Sequence, residues 1–191
     1  MPRLRMAAGL IGVMVALAVP ATAAAAVGGP VILGGDDLTD HGGTDAGGNS
    51  QQGWLYIERA VANIKAQVGR ANDNSIAAFG SADPGPLTPP DSGDAGMAIK
   101  NAAAKSGMSV SYFDGEVLIN NGLAAIQNGS YRPAIIWVAG DGASNNLDGC
   151  SGPGTEGQAL IDNAAIINNF VNGGGGLMSH GSCYDWLTAL L

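Results

Sequence analysis

Basic residues are scarce in this chain of 191 residues, which has 8 lysines and arginines against 16 acidic residues and a formal net charge of −8. Binding to nucleic acid depends on cations that neutralise phosphates, so this balance argues against nucleic acid as a partner. Aromatic residues make up only 5% of the chain, whereas glycine occurs 31 times. Because the glycines follow no collagen-like repeat, they predict tight turns and close packing of helices on a sheet.

The N-terminal apolar run is too short to span a membrane. Residues 10–19, LIGVMVALAV, fall well below the roughly 20 residues that a spanning helix needs. Arg3 and Arg5 precede this run, and Pro20 and the small residues 21–26 follow it, which is the layout of a secretory signal peptide. We therefore predict a signal peptide over residues 1–26, a secreted or periplasmic protein with no stable membrane span after cleavage, and one domain over residues 27–191.

Cysteine is limited to Cys150 and Cys183. In an exported protein, an even pair most simply forms a disulfide, and that is our prediction for these two residues. Two alternatives stay open. Both thiols could be free and inert, or Cys183 could be a nucleophile activated by a helix N-terminus and by the nearby His180. The spacing of the cysteines and histidines does not fit a zinc site.

The mature chain alternates between short apolar runs and amphipathic stretches, a pattern typical of βα units. The order predicts an α/β fold, a three-layer open parallel sheet of about five strands. The run AIIWVA at residues 134–139 is apolar on both faces and predicts a central strand. The first run, 31–33, predicts a further buried strand. We expect Asp114 to cap one helix and Thr155 with Gln158 to form a capping box on another. The predicted strands are 31–33, 76–79, 110–113, 134–139 and 177–180.

Two parts of the chain are less regular. Residues 82–96 contain four prolines and predict a long loop whose length would suit a lid. Residues 188–191 form an apolar helical turn without a stop signal, so we expect the domain to be incomplete at its C-terminus.

Potential ligand-binding side chains follow two of the predicted strands. The loop after the first strand contains Asp36, Asp37, Asp40 and His41, and the loop after the fourth contains Asp141. Ligands of open α/β sheets bind at the carboxyl ends of strands, so these five residues are predicted to bind a ligand. The oxygens of Asp36, Asp37 and Asp141 would suit Ca²⁺ or Mg²⁺. The alternative is that Asp, Asn and Gly simply build turns and helix caps here.

The last third of the chain carries a family resemblance. The segments AIIWVAGDG, FVNGGGG and LMSHG, within residues 134–191, resemble the class I glutamine amidotransferase-like superfamily, and in particular its trehalose-utilisation-type members. This resemblance implies a flavodoxin-like sheet. It also places Cys183, in Gly181-Ser182-Cys183-Tyr184-Asp185, at the family's nucleophile turn G-x-C-x-G, with Asp185 replacing the second glycine. The family's histidine and acidic partners come later in the chain, but the eight residues after Cys183 include no histidine or glutamate.

Three functions therefore remain as hypotheses. The first is a secreted, amidotransferase-like domain that is non-catalytic or degenerate and binds a small polar ligand or a partner at the carboxyl edge of the sheet. The second is a secreted hydrolase of a small polar or sugar-derived substrate, acting with or without a bound metal ion. The third is a structural module whose partners are further domains of a longer surface protein.

Overall fold

The computed structural model describes residues 28–34, 38–139, 147, 154–180 and 186. Its strands are β1 (Val31–Gly34), β2 (Gly42–Thr44), β3 (Ser50–Gln51), β4 (Ser75–Phe79), β5 (Ser109–Phe113), β6 (Ile135–Ala139) and β7 (Gly176–His180). Its helices are α1 (Gln52–Gln67), α2 (Ala95–Lys105), α3 (Glu116–Asn128), α4 (Gly154–Asp162) and α5 (Ala164–Asn172). No helix in these ranges is long and apolar enough to cross a bilayer.

Five of the strands form one parallel sheet in the order β1-β7-β6-β4-β5, which confirms the predicted open α/β fold. Strands β4, β5, β6 and β7 take the places of the first four strands in the flavodoxin-like order 2-1-3-4-5. The place of the fifth is filled by β1, which comes first in the chain. The N-terminal and C-terminal strands of the described chain are therefore neighbours.

Helices cover both faces of this sheet, as expected of three layers. Alternate residues of each strand point to opposite faces, so β6 sends Trp137 towards α1 and α2, and Ile136 and Val138 towards α3, α4 and α5. All five residues of β6 are buried, which confirms the prediction of a central strand.

The prediction that the first strand is buried is wrong. Val31 and Leu33 are 46% and 48% exposed, because β1 lies at the edge of the sheet and pairs only with β7 among the described strands. An apolar run of three residues has the same sequence pattern in an edge strand as in a central one.

The loop after β1 also contains structure that the sequence did not predict. Strands β2 and β3 form a small antiparallel hairpin, which lies against α1 and α2. Ser50 connects the two helices, because its hydroxyl accepts a hydrogen bond from Asn101 of α2 (2.7 Å) and donates one to Glu58 of α1 (2.6 Å).

Two of the predicted helix caps are wrong. The cap position of α3 is Gly115, not Asp114, and no side chain at that position caps the helix. Thr155 lies inside α4, and the Gln158 amide donates forward to Asp162 (2.8 Å) instead of back to a cap. The segment that follows contains two helices, α4 and α5, with Asn163 between them.

Candidate functional site

The carboxyl edge of the sheet holds buried polar side chains from several elements. His180 and Ser179 lie at the end of β7, Ser81 follows β4, and Glu156 comes from the first turn of α4, each no more than 2% exposed. Burying a polar group costs free energy unless its environment compensates for it. Four of the ten buried polar side chains among the described residues lie at this edge, which makes it a candidate for a functional site.

His180 is held most closely. Its backbone pairs with Gly34 of β1 on one side and with Ala139 of β6 on the other. The ring centroid lies 5.1 Å from that of Trp137, and Tyr56 of α1 meets it edge-on at 6.1 Å. The imidazole is thus packed between two aromatic rings at the carboxyl edge of the sheet. Trp137 is fully buried, and Tyr56 is 45% exposed.

Tyr56 is 45% exposed, so this ring cluster reaches the surface, and the loop after β1 contacts the first turn of the same helix. That loop reaches the first turn of α1 through its backbone: the Trp54 indole donates to the Thr39 carbonyl (2.8 Å), and the Gly53 amide donates to the His41 carbonyl (3.3 Å). Both histidines of the chain therefore lie beside the start of α1, His41 through its backbone and His180 through its ring.

Of the residues predicted to form the site, the structure describes three. His180 is buried as above, whereas the side chains of Asp40 and His41 are exposed in the loop before β2. Within the described ranges, no three or more His, Cys, Asp or Glu side chains are grouped so that they could hold a metal ion. The remaining predicted residues lie outside the described residues: Asp36, Asp37, Asp141, Cys150 and Cys183.

Asp45, just beyond the predicted group, has a purely structural role in this part of the chain. Its carboxylate closes the turn between β2 and β3 by accepting hydrogen bonds from the side chain and backbone of Asn49 and from the backbone of Gly47. These bonds, chiefly those from Asn49, lower the pKa of Asp45 below its usual value. This carboxylate fits the alternative interpretation, in which Asp and Asn build turns.

The boundary between β4 and β6 is closed in the part that the structure describes. The chain leaves these neighbouring strands towards opposite faces, the arrangement that opens a ligand crevice in many α/β sheets. Here the Ser81 hydroxyl donates to the Ala139 carbonyl (2.6 Å), and the buried Leu147 side chain packs over Gly80. The crevice is thus filled at this point by the protein's own side chains.

The proline-rich loop is anchored in the structure, although its length suggested a lid. The Asp91 backbone accepts from the Thr44 amide (2.8 Å) and donates to the Thr44 hydroxyl (3.0 Å), which ties the loop to the β2–β3 hairpin. Lys100 of α2 forms an ion pair with Asp83 (2.7 Å), and this contact lowers the pKa of the Asp83 carboxyl.

No pattern in the sequence predicts the other side chains of this edge. Tyr56 lies on α1 outside the helix's buried face, where a single aromatic residue has no distinctive pattern, and Trp137 lies in a central strand, where aromatic residues usually belong to the core. Glu156 is buried, and its carboxylate accepts a hydrogen bond from the Gly115 amide at the start of α3. Its position in the first turn of a helix is the common place for an exposed acidic residue, so no pattern in the sequence distinguishes it.

Comparison of the chain with protein-family models, with characterised proteins and with solved structures finds no match.

Proposed function

We propose that this protein is a secreted, amidotransferase-like α/β domain that binds a small polar ligand at the carboxyl edge of its sheet, around His180. The observation that carries the proposal is the burial of the His180 imidazole between Trp137 and Tyr56 at the end of β7. An imidazole donates and accepts hydrogen bonds near neutral pH, so its place at a strand end suits recognition of a polar molecule.

The course of the chain around His180 supports this location. From β1 the chain goes to α1, which packs on one face of the sheet, whereas Trp186, beyond β7, packs with the core of the other face. Connections that part at neighbouring strands leave a crevice between them, which is where open α/β sheets bind ligands. We therefore propose that the ligand binds in the crevice at the β1–β7 boundary, because the crevice at the β4–β6 boundary is filled by side chains.

The sequence supplies carboxylates on both sides of this position. Asp36 and Asp37 follow β1, and Asp141 follows β6, the two strands that flank His180. We propose that these carboxylates contact the ligand directly or through a bound Ca²⁺ or Mg²⁺, with Asp40 and His41 at the rim. We propose a binding function, with Cys183 and Cys150 in a disulfide, because a cysteine paired in a disulfide has no free thiolate to act as a nucleophile.

The two histidines make this proposal testable by NMR of the imidazole rings, since the whole chain gives two ring signals. Titration with glutamine, a neutral disaccharide, Ca²⁺ and Mg²⁺ is expected to move the His180 signal with at least one of these probes. Changing Asp36 and Asp37 together to Asn should weaken that response by about ten-fold, because two charge-assisted contacts are lost.

The matched control is Asp114→Asn, which removes an exposed carboxylate after β5, at the far end of the same sheet. It should leave the titration unchanged. If no probe moves the His180 signal at millimolar concentration, or if both variants weaken the response equally, the site is not where we place it. Turnover of glutamine or of a sugar ester by the protein would instead favour the hydrolase.

A further inference from the structure

Three cations of the described chain lack a carboxylate partner and line one groove. Eight lysines and arginines, less Arg3 and Arg5 of the predicted signal peptide, leave six. Lys100 pairs with Asp83 (2.7 Å), Arg132 pairs with Asp73 (3.1 Å), and Arg70 lies over the Phe170 ring at 4.6 Å. The other three are Arg59, Lys65 and Lys105, and they line a groove of about 420 Å³ between α1 and α2.

The groove is lined by both apolar and polar side chains. Ala62 and Ala66 of α1 are among the apolar ones, and Ser106, at the end of α2, is among the polar ones. The Lys65 ammonium donates to the Ser106 carbonyl (2.7 Å), which leaves two of its three N–H groups for other acceptors. The Ser106 hydroxyl is buried and has no hydrogen-bond partner in the described part of the protein. A hydroxyl donor and two ammonium donors therefore remain available here.

The charges around the groove leave it positive. Three cations line it, against the carboxylate of Glu58. The C-terminal ends of α1 and α2 add about half a negative charge each, through the helix dipoles. Lys105 also helps to lower the pKa of Asp45, but that carboxylate is bonded to Asn49, which comes first among the causes of its shift. A surplus of about one positive charge remains, in a chain whose net charge is −8.

We propose that this groove binds a small organic monoanion, a carboxylate attached to a compact apolar body. The carboxylate would accept hydrogen bonds from Arg59, Lys105 and the Ser106 hydroxyl, and the apolar body would lie on Ala62 and Ala66. The volume suits a small molecule. Lys65 follows Tyr56 by nine residues, about 14 Å along α1, so this groove is separate from the proposed site at His180.

The test is a titration of the ¹⁵N-labelled protein with benzoate at low ionic strength, with benzamide as a neutral molecule of the same shape. Benzoate is expected to shift the backbone amide signals of Ala62, Ala66 and Ser106 and to leave the His180 ring signal in place. Benzamide should bind at least about ten-fold more weakly, since it has no negative charge to interact with the cations of the groove. Added salt should weaken the binding of benzoate.

Charge-neutralising variants locate the site. Arg59→Gln and Lys105→Gln should each weaken the binding of benzoate by about three- to ten-fold, because each removes one partly exposed charge. Arg132→Gln changes the net charge equally but lies outside the groove, so it should have no effect. The proposal is overturned if benzamide binds as tightly as benzoate, if Arg132→Gln weakens binding as much as Lys105→Gln, or if millimolar benzoate leaves the three amide signals unchanged.

Discussion

Gly53 lets the first turn of α1 lie directly against the backbone of Leu38. A Cβ atom at this position would come within 2.9 Å of the Leu38 Cα and 3.0 Å of its carbonyl carbon. These are backbone atoms, so no side chain can rotate away to make room. A glycine at this position therefore lets the loop after β1 lie close to the helix that carries Tyr56.

Changing Gly53 to Ala is expected to lower the free energy of unfolding by about 1–3 kcal/mol, the usual cost of overpacking a close contact. Urea denaturation followed by circular dichroism measures this. Gly69→Ala is the control, because nothing lies within 4 Å of a Cβ there, and its effect should stay within about 0.5 kcal/mol. Equal stabilities of the two variants would contradict the close contact between α1 and Leu38.

At the scale of residues, the sequence indicated which side chain could take part in chemistry better than it indicated that side chain's neighbours in the fold. His180 was singled out by its type and its place at a strand end, and the structure puts it there. Its neighbours Tyr56 and Trp137 are far apart in the chain, and only the pairing of distant elements brings them to one ring. Glu156 shows the same limit, since its burial depends on α3, which lies 40 residues earlier and is not visible in its local pattern.

At the scale of elements, two helices start in different ways. Asp94 caps α2, where its carboxylate accepts a hydrogen bond from the Met97 amide (2.6 Å). Asp114 precedes α3 but has no such role, because the cap position is Gly115 and the Gly115 amide donates to Glu156. The two aspartates thus form a natural pair for measuring what a cap contributes.

Asp94→Ala is expected to cost about 1 kcal/mol of stability, with values of about 0.5–2 kcal/mol typical of lost N-caps. Asp114→Ala should change stability by no more than about 0.5 kcal/mol, as for an ordinary surface substitution. Thermal unfolding of the two variants at neutral pH gives the comparison. A larger loss for Asp114→Ala would mean that α3 is capped from its own sequence after all.

The predicted elements were most accurate where the signal is local. Ile119, Leu123 and Ile126 are spaced for one face of α3, and all three are buried there, while Gly129 ends the helix with a positive φ of 77°. Local spacing could not predict that β1 lies at the edge of the sheet. It depends on the order of strands in the sheet, which is set by contacts between residues about 145 positions apart.

At the scale of the whole molecule, the proposals of export and of a disulfide are tested together by the intact mass of the secreted protein, alkylated without prior reduction. We expect the mass of a chain that begins within residues 24–27 and carries no alkyl group, because Cys150 and Cys183 would be paired. Retention of residues 1–26 would contradict the signal peptide. Uptake of label at Cys183 would contradict the disulfide and return attention to a nucleophilic thiol.

The pairing of β1 with β7 also affects when the sheet can fold during synthesis of the chain. Synthesis proceeds from the N-terminus, yet the partner of Val31–Gly34 is Gly176–His180, among the last residues described. The first strand therefore has no paired neighbour until about 145 further residues have been produced. Closing so long a loop is entropically costly and slows folding. If the protein is exported as we propose, such a delay would help to keep the chain unfolded while it crosses the membrane, because the sheet cannot be completed before β7 has been made.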